Sequence, residues 1–280
     1  MEKIAITGAS GLIGTRILEV LGYKYIFIPI PQAEVDITNK PTIENFLKDK
    51  EFDYLLHLAA YTNVDGAEKD RKLCEEINVL GTKNVFEVAS EKNAKFIHIS
   101  TDFVFDGKLV DGKIPTFKED SLPSPVSYYG LTKYEAEKIV KDNAMIIRLS
   151  YPYRKEFELK KDFVRTIKQL LIDGKEISMV KDSLITPTYI DDIANALGHL
   201  IENYSKDIFH LVGSDNISPY DAGIKIAKYY KLDEKLIKPV LYDEYFKGKA
   251  ARPQYAKIVN TKYVGVRMKS FEEGLKEMGS

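Results

Sequence analysis

The stretch Ile4-Ala-Ile-Thr-Gly8-Ala-Ser-Gly11-Leu-Ile-Gly14 decides the fold of this chain. It passes directly from a β-rich segment into a predicted helix over Leu12–Leu21, and its glycines follow the pattern G-x-x-G-x-x-G. Such a turn needs residues without a Cβ, because backbone N–H groups must approach a diphosphate at the start of the helix. Glycine is also the default residue of any tight turn. The position of these glycines after the first strand favours a dinucleotide-binding loop.

Short β-rich runs alternate with longer helical patterns through the first half of the chain, and the alternation weakens after residue 150. The predicted strands are 3–7, 25–30, 53–58, 94–100 and 144–149. This alternation predicts an α/β fold, a Rossmann-type doubly wound parallel sheet with a smaller mixed α/β substrate domain. We assign residues 1–150 to an NAD(P)-binding domain and residues 151–280 to a substrate-binding domain. Residues 186–200 are predicted to return to the first domain.

The composition argues against several classes of protein. Forty-one basic and 42 acidic residues leave a formal net charge of -1, which gives no positive field for binding nucleic acid. No apolar run approaches the roughly 18 residues of a membrane span, and charged residues and glycines occupy the position of a signal peptide. We therefore expect a cytoplasmic protein without a membrane partner. The single cysteine, Cys74, excludes an internal disulfide, and His57 and His98 lack the spacing of metal ligands, so no metal site is predicted.

The end of the second predicted strand bears on the choice between NAD and NADP. An acidic residue at this position commonly holds the adenosine ribose hydroxyls of NAD, but this chain reads Phe27-Ile-Pro-Ile-Pro-Gln32. NAD is therefore not specified, and NADP is slightly preferred. Arg16, in the first helix, either contacts a 2′-phosphate or is a solvated helix residue. Asp36 and Ile37 either approach the adenine or precede the next helix.

The segment Tyr129-Gly-Leu-Thr-Lys133 begins a helical pattern, and its spacing puts the phenol and the ammonium on one helix face. A free tyrosine ionises at about pH 10, and we expect the lysine to lower this pKa by stabilising the phenolate. Ser100-Thr-Asp102 lies at the end of the fourth predicted strand. Together with the glycine loop, these residues favour a catalytic unit that works on a nicotinamide cofactor.

With these motifs the sequence resembles the extended short-chain dehydrogenase/reductase superfamily, and more closely the dTDP-4-dehydrorhamnose reductase family. The segments that carry the resemblance are His57-Leu-Ala-Ala-Tyr-Thr-Asn-Val-Asp-Gly-Ala-Glu68, Ile77-Asn-Val-Leu-Gly-Thr82, Ser100-Thr-Asp-Phe-Val-Phe-Asp-Gly107, Tyr129 to Lys133, and Ala251-Arg-Pro253. The block that begins at Ser100 is the most specific to the family. The resemblance implies an NAD(P)H-dependent reductase of a nucleotide-linked 4-keto-6-deoxy sugar, as in dTDP-L-rhamnose synthesis.

The resemblance also implies roles for individual residues. Tyr129 is implied as the proton donor to the sugar C4 carbonyl, Lys133 as its electrostatic partner and a ligand of the nicotinamide ribose, and Thr101 as a hydroxyl donor to the reacting oxygen. The implied cofactor-binding residues are Gly8, Ser10, Gly11, Leu12, Ile13, Asp36, Ile37, Leu58, Ala59, Ala60, Tyr61, Ser100, Tyr129 and Lys133. The implied substrate-binding residues are Thr62, Val64, Thr101, Asp102, Tyr151 and Arg252.

Two departures from the family pattern fall on the substrate side. Tyr151 stands where the family commonly has tryptophan, and Ile185 stands where it tends to have glycine. These departures favour an alternative hypothesis, in which the chain is an NADP-binding regulatory subunit resembling that of methionine adenosyltransferase. The sugar, the nucleotide base and the oligomeric state stay open at this point, with a homodimer as the working hypothesis.

Overall fold

The computed structural model describes residues 1–279 and contains one main sheet of parallel strands. Its strands are β1 (Lys3–Thr7), β2 (Ile26–Ile30), β3 (Tyr54–His57), β4 (Lys95–Thr101), β5 (Ala144–Leu149) and β9 (Ile208–His210), in the order β2-β1-β3-β4-β5-β9. The chain starts at β1, runs outward to β2 and then returns to β3 on the other side of β1. This reversal defines a doubly wound sheet, so the predicted Rossmann-type fold is confirmed.

Short strands form two further parallel pairs outside the main sheet. They are β6 (Pro152–Tyr153) with β8 (Thr188–Tyr189), and β7 (Ile177–Val180) with β10 (Ile237–Val240). The helices are α1 (Leu12–Leu21), α2 (Lys40–Leu47), α3 (Val64–Lys69), α4 (Arg71–Glu75), α5 (Gly81–Glu91), α6 (Tyr128–Val140), α7 (Phe163–Ile172), α8 (Ile190–Glu202), α9 (Pro219–Tyr230), α10 (Tyr242–Tyr245) and α11 (Phe271–Gly279). No helix within residues 1–279 is both long enough and apolar enough to span a bilayer.

Apolar side chains cover both faces of the main sheet because neighbouring residues of a strand point in opposite directions. Leu56 packs into one core with α1 and α8, whereas the adjacent Leu55 packs into a second core with α2 and α5. A strand buried on both faces reads as a continuous apolar run, as residues 144–147 of β5 do. The main sheet is therefore closed to water everywhere except at its edges and strand ends.

The second half of the chain divides between the main sheet and a smaller unit. Helices α7, α9 and α11 build a third apolar core around Tyr153 and Phe271, both fully buried. Helix α8, however, packs on the first core beside α1, and β9 pairs with β5 at the edge of the main sheet. A boundary at residue 150 therefore cuts through the main sheet, because β9 lies in the range assigned to the second domain.

Candidate active site

A cavity of about 1200 Å³ opens at the carboxyl ends of the main-sheet strands, where α/β proteins bind their ligands. Most of the residues that the resemblance implied as site residues line it. They are Gly8, Ser10, Gly11, Leu12, Ile13, Asp36, Ile37, Leu58, Ala59, Ala60, Thr62, Val64, Ser100, Thr101, Asp102, Tyr129, Lys133 and Tyr151. The parallel sheet explains this convergence, since consecutive strands end at the same edge.

Two residues of the predicted site do not line this cavity. The backbone of Tyr61 is held by Asn78, and its side chain packs with Cys74 beside Tyr129. The Arg252 guanidinium donates to both carboxylate oxygens of Asp65, at 3.2 and 2.8 Å, and this ion pair is partly buried. The structure therefore does not place either side chain in the wall of the cavity.

The glycine loop forms a cradle at the start of α1. Gly8 has φ +68°, in the left-handed region that favours glycine, and a Cβ on Gly14 would lie 2.3 Å from the Gly8 carbonyl oxygen. Gly11 begins α1 without any side-chain cap, and no acidic residue occupies the first turn of α1. The first backbone N–H groups of α1 are consequently free of side-chain partners and fit a diphosphate.

A network of buried hydroxyl and imidazole groups fixes the strand ends around this cradle. Thr7 Oγ1 accepts hydrogen bonds from the backbone N–H groups of Leu58 and Ala59, so its single proton goes to His57 Nδ1 at 2.7 Å. The His57 Nε2–H then donates to Thr82 Oγ1 at 3.1 Å. Burial lowers the pKa of His57 to about 3, so this ring stays neutral. Sequence analysis did not find the role of Thr7 or Thr82, because both resemble ordinary core threonines.

One end of the cavity is formed by the end of β2 and the loop after it. Pro31 and Gln32 line the cavity there, and neither had been predicted as a site residue. The Asp36 carboxylate accepts from the backbone N–H and the hydroxyl of Thr38, so Asp36 both borders the cavity and shapes the turn before α2. Arg16 is instead paired with Asp191 and Glu19, and the hypothesis that it contacts a 2′-phosphate is not supported.

Tyr129 lies in the first turn of α6, which is anchored at its N-terminus by two acceptors. Ser127 Oγ accepts from the Gly130 N–H at 3.2 Å, and the Glu68 carboxylate accepts from the Tyr128 N–H at 2.8 Å. The Tyr129 ring packs edge-on against Phe103 and is 9% exposed. These contacts hold the phenol at the wall of the cavity.

The expected lowering of the Tyr129 pKa by Lys133 is wrong. Burial raises the pKa of Tyr129 well above its ordinary value, a hydrogen bond with Thr101 opposes this change, and the Asp102 carboxylate adds to it. Lys133 does not offset the effect of burial; its ammonium donates to the Ile99 carbonyl at 2.8 Å and lies 3.3 Å from His98 Nε2. Tyr129 is therefore protonated at neutral pH, which is the state that a proton donor needs.

Lys133 is itself 3% exposed, and burial lowers its pKa to about 8 against the opposing charge of Glu137. Glu137 does not pair with it, because both Glu137 oxygens accept from Arg148 at 2.9 and 2.7 Å. Lys133 consequently keeps most of its positive charge at neutral pH while lying in a poorly solvated site.

Thr101 and Asp102 form a buried pair at the end of β4. The Thr101 hydroxyl accepts from the Phe103 N–H and donates to the Asp102 carboxylate at 3.0 Å, and Ser150 Oγ donates to the same carboxylate at 2.7 Å. Burial raises the pKa of Asp102 to about 6. The Thr101 proton must therefore turn away from Asp102 before it can reach a substrate oxygen.

Asn78 lies in a π-helical turn, Glu76–Leu80, between α4 and α5. Its side chain accepts from the Tyr61 N–H at 2.8 Å and donates to Thr132 Oγ1 at 3.0 Å, on α6. This bridge ties α6 to the backbone beside the cavity. A π-helical turn at this point is typical of functional sites.

Comparison with known proteins assigns the chain to a family. The family model described as RmlD substrate binding domain matches residues 1–280. The chain belongs to this family. It is 30% identical over 252 residues to the dTDP-4-dehydrorhamnose reductase of Aggregatibacter actinomycetemcomitans, covering 86% of this chain and 82% of the relative.

Solved structures agree with the sequence relatives. The crystal structure of dTDP-4-dehydrorhamnose reductase from Bacillus anthracis in complex with NADP has a TM-score of 0.89 at 32% identity, covering 99% of this chain and 98% of that one. Methionine adenosyltransferase 2 subunit beta of Xenopus laevis is also similar, at 26% identity over 257 residues, 85% of this chain and 75% of the relative. At the level of the family, the predicted dTDP-4-dehydrorhamnose reductase resemblance and the predicted class, an NAD(P)-dependent sugar oxidoreductase, are confirmed.

Proposed function

We propose that this chain is an NADPH-dependent reductase of a nucleotide-linked 4-keto-6-deoxy sugar, similar to dTDP-4-dehydrorhamnose reductase. The observation that carries the proposal is that one cavity contains both a helix start suited to a diphosphate and a group of side chains suited to proton transfer. The uncapped start of α1 borders one part of the cavity, and Thr101, Tyr129 and Lys133 border another. The buried Ser100 hydroxyl, which has no hydrogen-bond partner within residues 1–279, adds a polar contact for a cofactor.

The chemistry follows from the protonation states of these side chains. When bound, the reduced nicotinamide supplies a hydride to the carbonyl carbon. Charge then develops on the carbonyl oxygen, and the Tyr129 hydroxyl donates the proton that neutralises it. The raised pKa of Tyr129 keeps that proton in place until the oxygen becomes basic. The Thr101 hydroxyl, once turned from Asp102, stabilises the same oxygen by a hydrogen bond.

Lys133 is proposed to bind the cofactor ribose, and Asp102 is proposed to bind the sugar. An ammonium has three N–H donors, and two of those of Lys133 are directed to Ile99 and His98, so one remains for a ribose hydroxyl. The Asp102 carboxylate borders the cavity next to Tyr151 and is proposed to orient the sugar. Tyr151 has φ +40°, a conformation that is costly for an aromatic residue and common at ligand-binding sites.

A direct assay tests the reductase proposal. When the parent protein is mixed with NADPH and dTDP-4-keto-6-deoxy-L-mannose, the absorbance of the reduced nicotinamide should decrease as NADPH is oxidised. A panel of other nucleotide-linked keto sugars then identifies the preferred base and sugar. Turnover at the rate without enzyme, for every member of the panel and for both NADPH and NADH, would overturn the proposal.

The regulatory alternative is favoured by the similarity to methionine adenosyltransferase 2 subunit beta and by Tyr151 and Ile185 in place of the usual family residues. It requires NADP binding without turnover, together with stable co-purification of a second protein. Rapid turnover of one sugar in the panel would contradict it.

The cellular setting and assembly are also proposals. We propose that the chain is a cytoplasmic enzyme and that it forms a homodimer. Light scattering of the purified protein checks the second point. A mass of one chain at micromolar concentration would contradict the homodimer.

A further inference from the structure

One buried histidine contacts the active-site lysine, and the reductase mechanism above gives it no role. His98 is fully buried in β4, and its Nε2 lies 3.3 Å from the Lys133 ammonium nitrogen. The sequence showed only that His98 lacks the spacing of a metal ligand, and the structure encloses it completely. Within residues 1–279, the Nδ1 of His98 has no hydrogen-bond partner. The single side-chain hydrogen bond of His98 in this range is therefore the one between Nε2 and Lys133, in the active site.

The contact fixes which ring nitrogen of His98 carries the proton. An ammonium can only donate, so the Nε2 of His98 must accept while Lys133 is charged, and the imidazole proton must lie on Nδ1. That Nδ1–H is buried without an acceptor, which costs free energy. The protein keeps this arrangement although the opposite tautomer would leave a less costly lone pair unpaired. The hydrogen bond from Lys133 to Nε2 offsets part of this cost.

The groups that the structure describes around the pair provide no charged partner for the Lys133 ammonium. Glu137, on the same helix as Lys133, is engaged by Arg148, and Cys74 faces Lys133 from α4 as a buried thiol whose pKa is raised by burial. From β3, the neutral His57 ring stacks on His98 at 5.7 Å. Within residues 1–279, no carboxylate lies within ion-pair distance of Lys133, so its charge is held by neutral acceptors, the Ile99 carbonyl and the His98 ring.

We propose that His98 is a positioning residue for Lys133: its neutral imidazole accepts from the buried ammonium and leaves one N–H directed at the cofactor ribose. Only one part of this inference rests on the proposed reductase function, namely that the remaining N–H of Lys133 is directed at the cofactor ribose. The geometry that supports it, a lysine between one backbone carbonyl and one imidazole, is independent of the substrate. Loss of the imidazole acceptor should make the buried ammonium harder to keep charged.

Two variants separate this role from simple core packing. His98→Phe keeps an aromatic ring for the stack on His57 but removes the acceptor, whereas His98→Gln retains an acceptor near the position of Nε2. We expect His98→Phe to weaken NADPH binding about tenfold and to move the alkaline limb of its pH profile down by about one unit. His98→Gln should restore most of both properties. His199→Phe, in α8 against Tyr263, is the control and should match the parent.

The readouts distinguish failure of this inference from failure of the proposed function. NADPH binding against pH needs no sugar, so it tests His98 even if the whole sugar panel is inactive. Nitrogen-15 NMR of the histidine side chains at pH 7 should show His98 with its proton on Nδ1, and this measurement needs neither ligand. A proton on Nε2 would overturn the proposal. So would a folded His98→Phe, or a folded His98→Leu if the phenylalanine variant does not fold, with the NADPH pH profile of the parent.

Discussion

Two helices begin at the same cavity, and they use their N-termini in opposite ways. Helix α1 starts at Gly11 with no side-chain cap, which leaves its backbone N–H groups for a ligand. Helix α6 starts at Ser127 with side-chain acceptors on two of its first N–H groups, Ser127 for Gly130 and Glu68 for Tyr128, and it presents the Tyr129 side chain to the cavity. Under the proposed function, α1 binds the cofactor through its backbone, whereas α6 positions the reacting phenol of Tyr129. Substitutions at the two starts should therefore affect different steps.

The largest effect is expected at α6. Tyr129→Phe removes the proton donor but keeps the ring that packs on Phe103. Its kcat should fall by about 10² to 10⁴-fold, the range typical of lost acid catalysis, while NADPH affinity and thermal stability stay close to those of the parent. Steady-state kinetics with NADPH titration make the measurement. Turnover at the parent rate would show that Tyr129 is not the acid.

Substitution at α1 should reverse this pattern. In Gly14→Ala, the new Cβ meets the Gly8 carbonyl and distorts the cradle. NADPH affinity should fall by about tenfold or more, equivalent to about 1.4 kcal/mol. Gly198→Ala in α8 is the control, because its Cβ meets the tip of the Leu21 side chain instead of backbone. Equal NADPH affinity of the two variants, by calorimetry, would remove the distinction between the two helix starts.

The next prediction concerns pH. Lys133 has a lowered pKa of about 8, so it is charged below pH 8 and loses its proton as the pH rises through that value. Because the charged form is the donor, kcat/KM should be level below the pKa and fall about tenfold per pH unit above it. A profile of kcat/KM from about pH 7 to about 9.5 makes the measurement, above the range in which Asp102, with a pKa of about 6, changes charge. A rate that increases through pH 8 would contradict the assignment of Lys133 as an ammonium donor.

The smallest effect is expected from the cap of α6. Ser127→Ala should lower the free energy of unfolding by about 1 kcal/mol. Ser218 caps α9 in the same way, so Ser218→Ala should cost a similar amount of stability. Only Ser127→Ala should also lower kcat, since Tyr129 lies in the turn that Ser127 caps. Equal kcat for the two variants would mean that the cap does not position the phenol.

The sequence predicted the features that depend on near neighbours. The glycine spacing after a β-rich run predicts the start of α1, and the four-residue spacing of Tyr129 and Lys133 predicts one shared helix face, because helix and strand periods are local properties. The family blocks extended this to Thr101 and Asp102, which lie at the end of β4. In each case the physical cause lies within a few residues along the chain.

Tertiary structure alone decided which distant groups meet. Arg16 pairs with Asp191 and Arg252 with Asp65, residues separated by 175 and 187 positions, so no local pattern could show that both arginines were already engaged. The pKa of Tyr129 depended in the same way on burial and not on its spacing from Lys133. Hydrogen-bond partners and desolvation are set by packing between elements, and packing is specified by the whole chain at once.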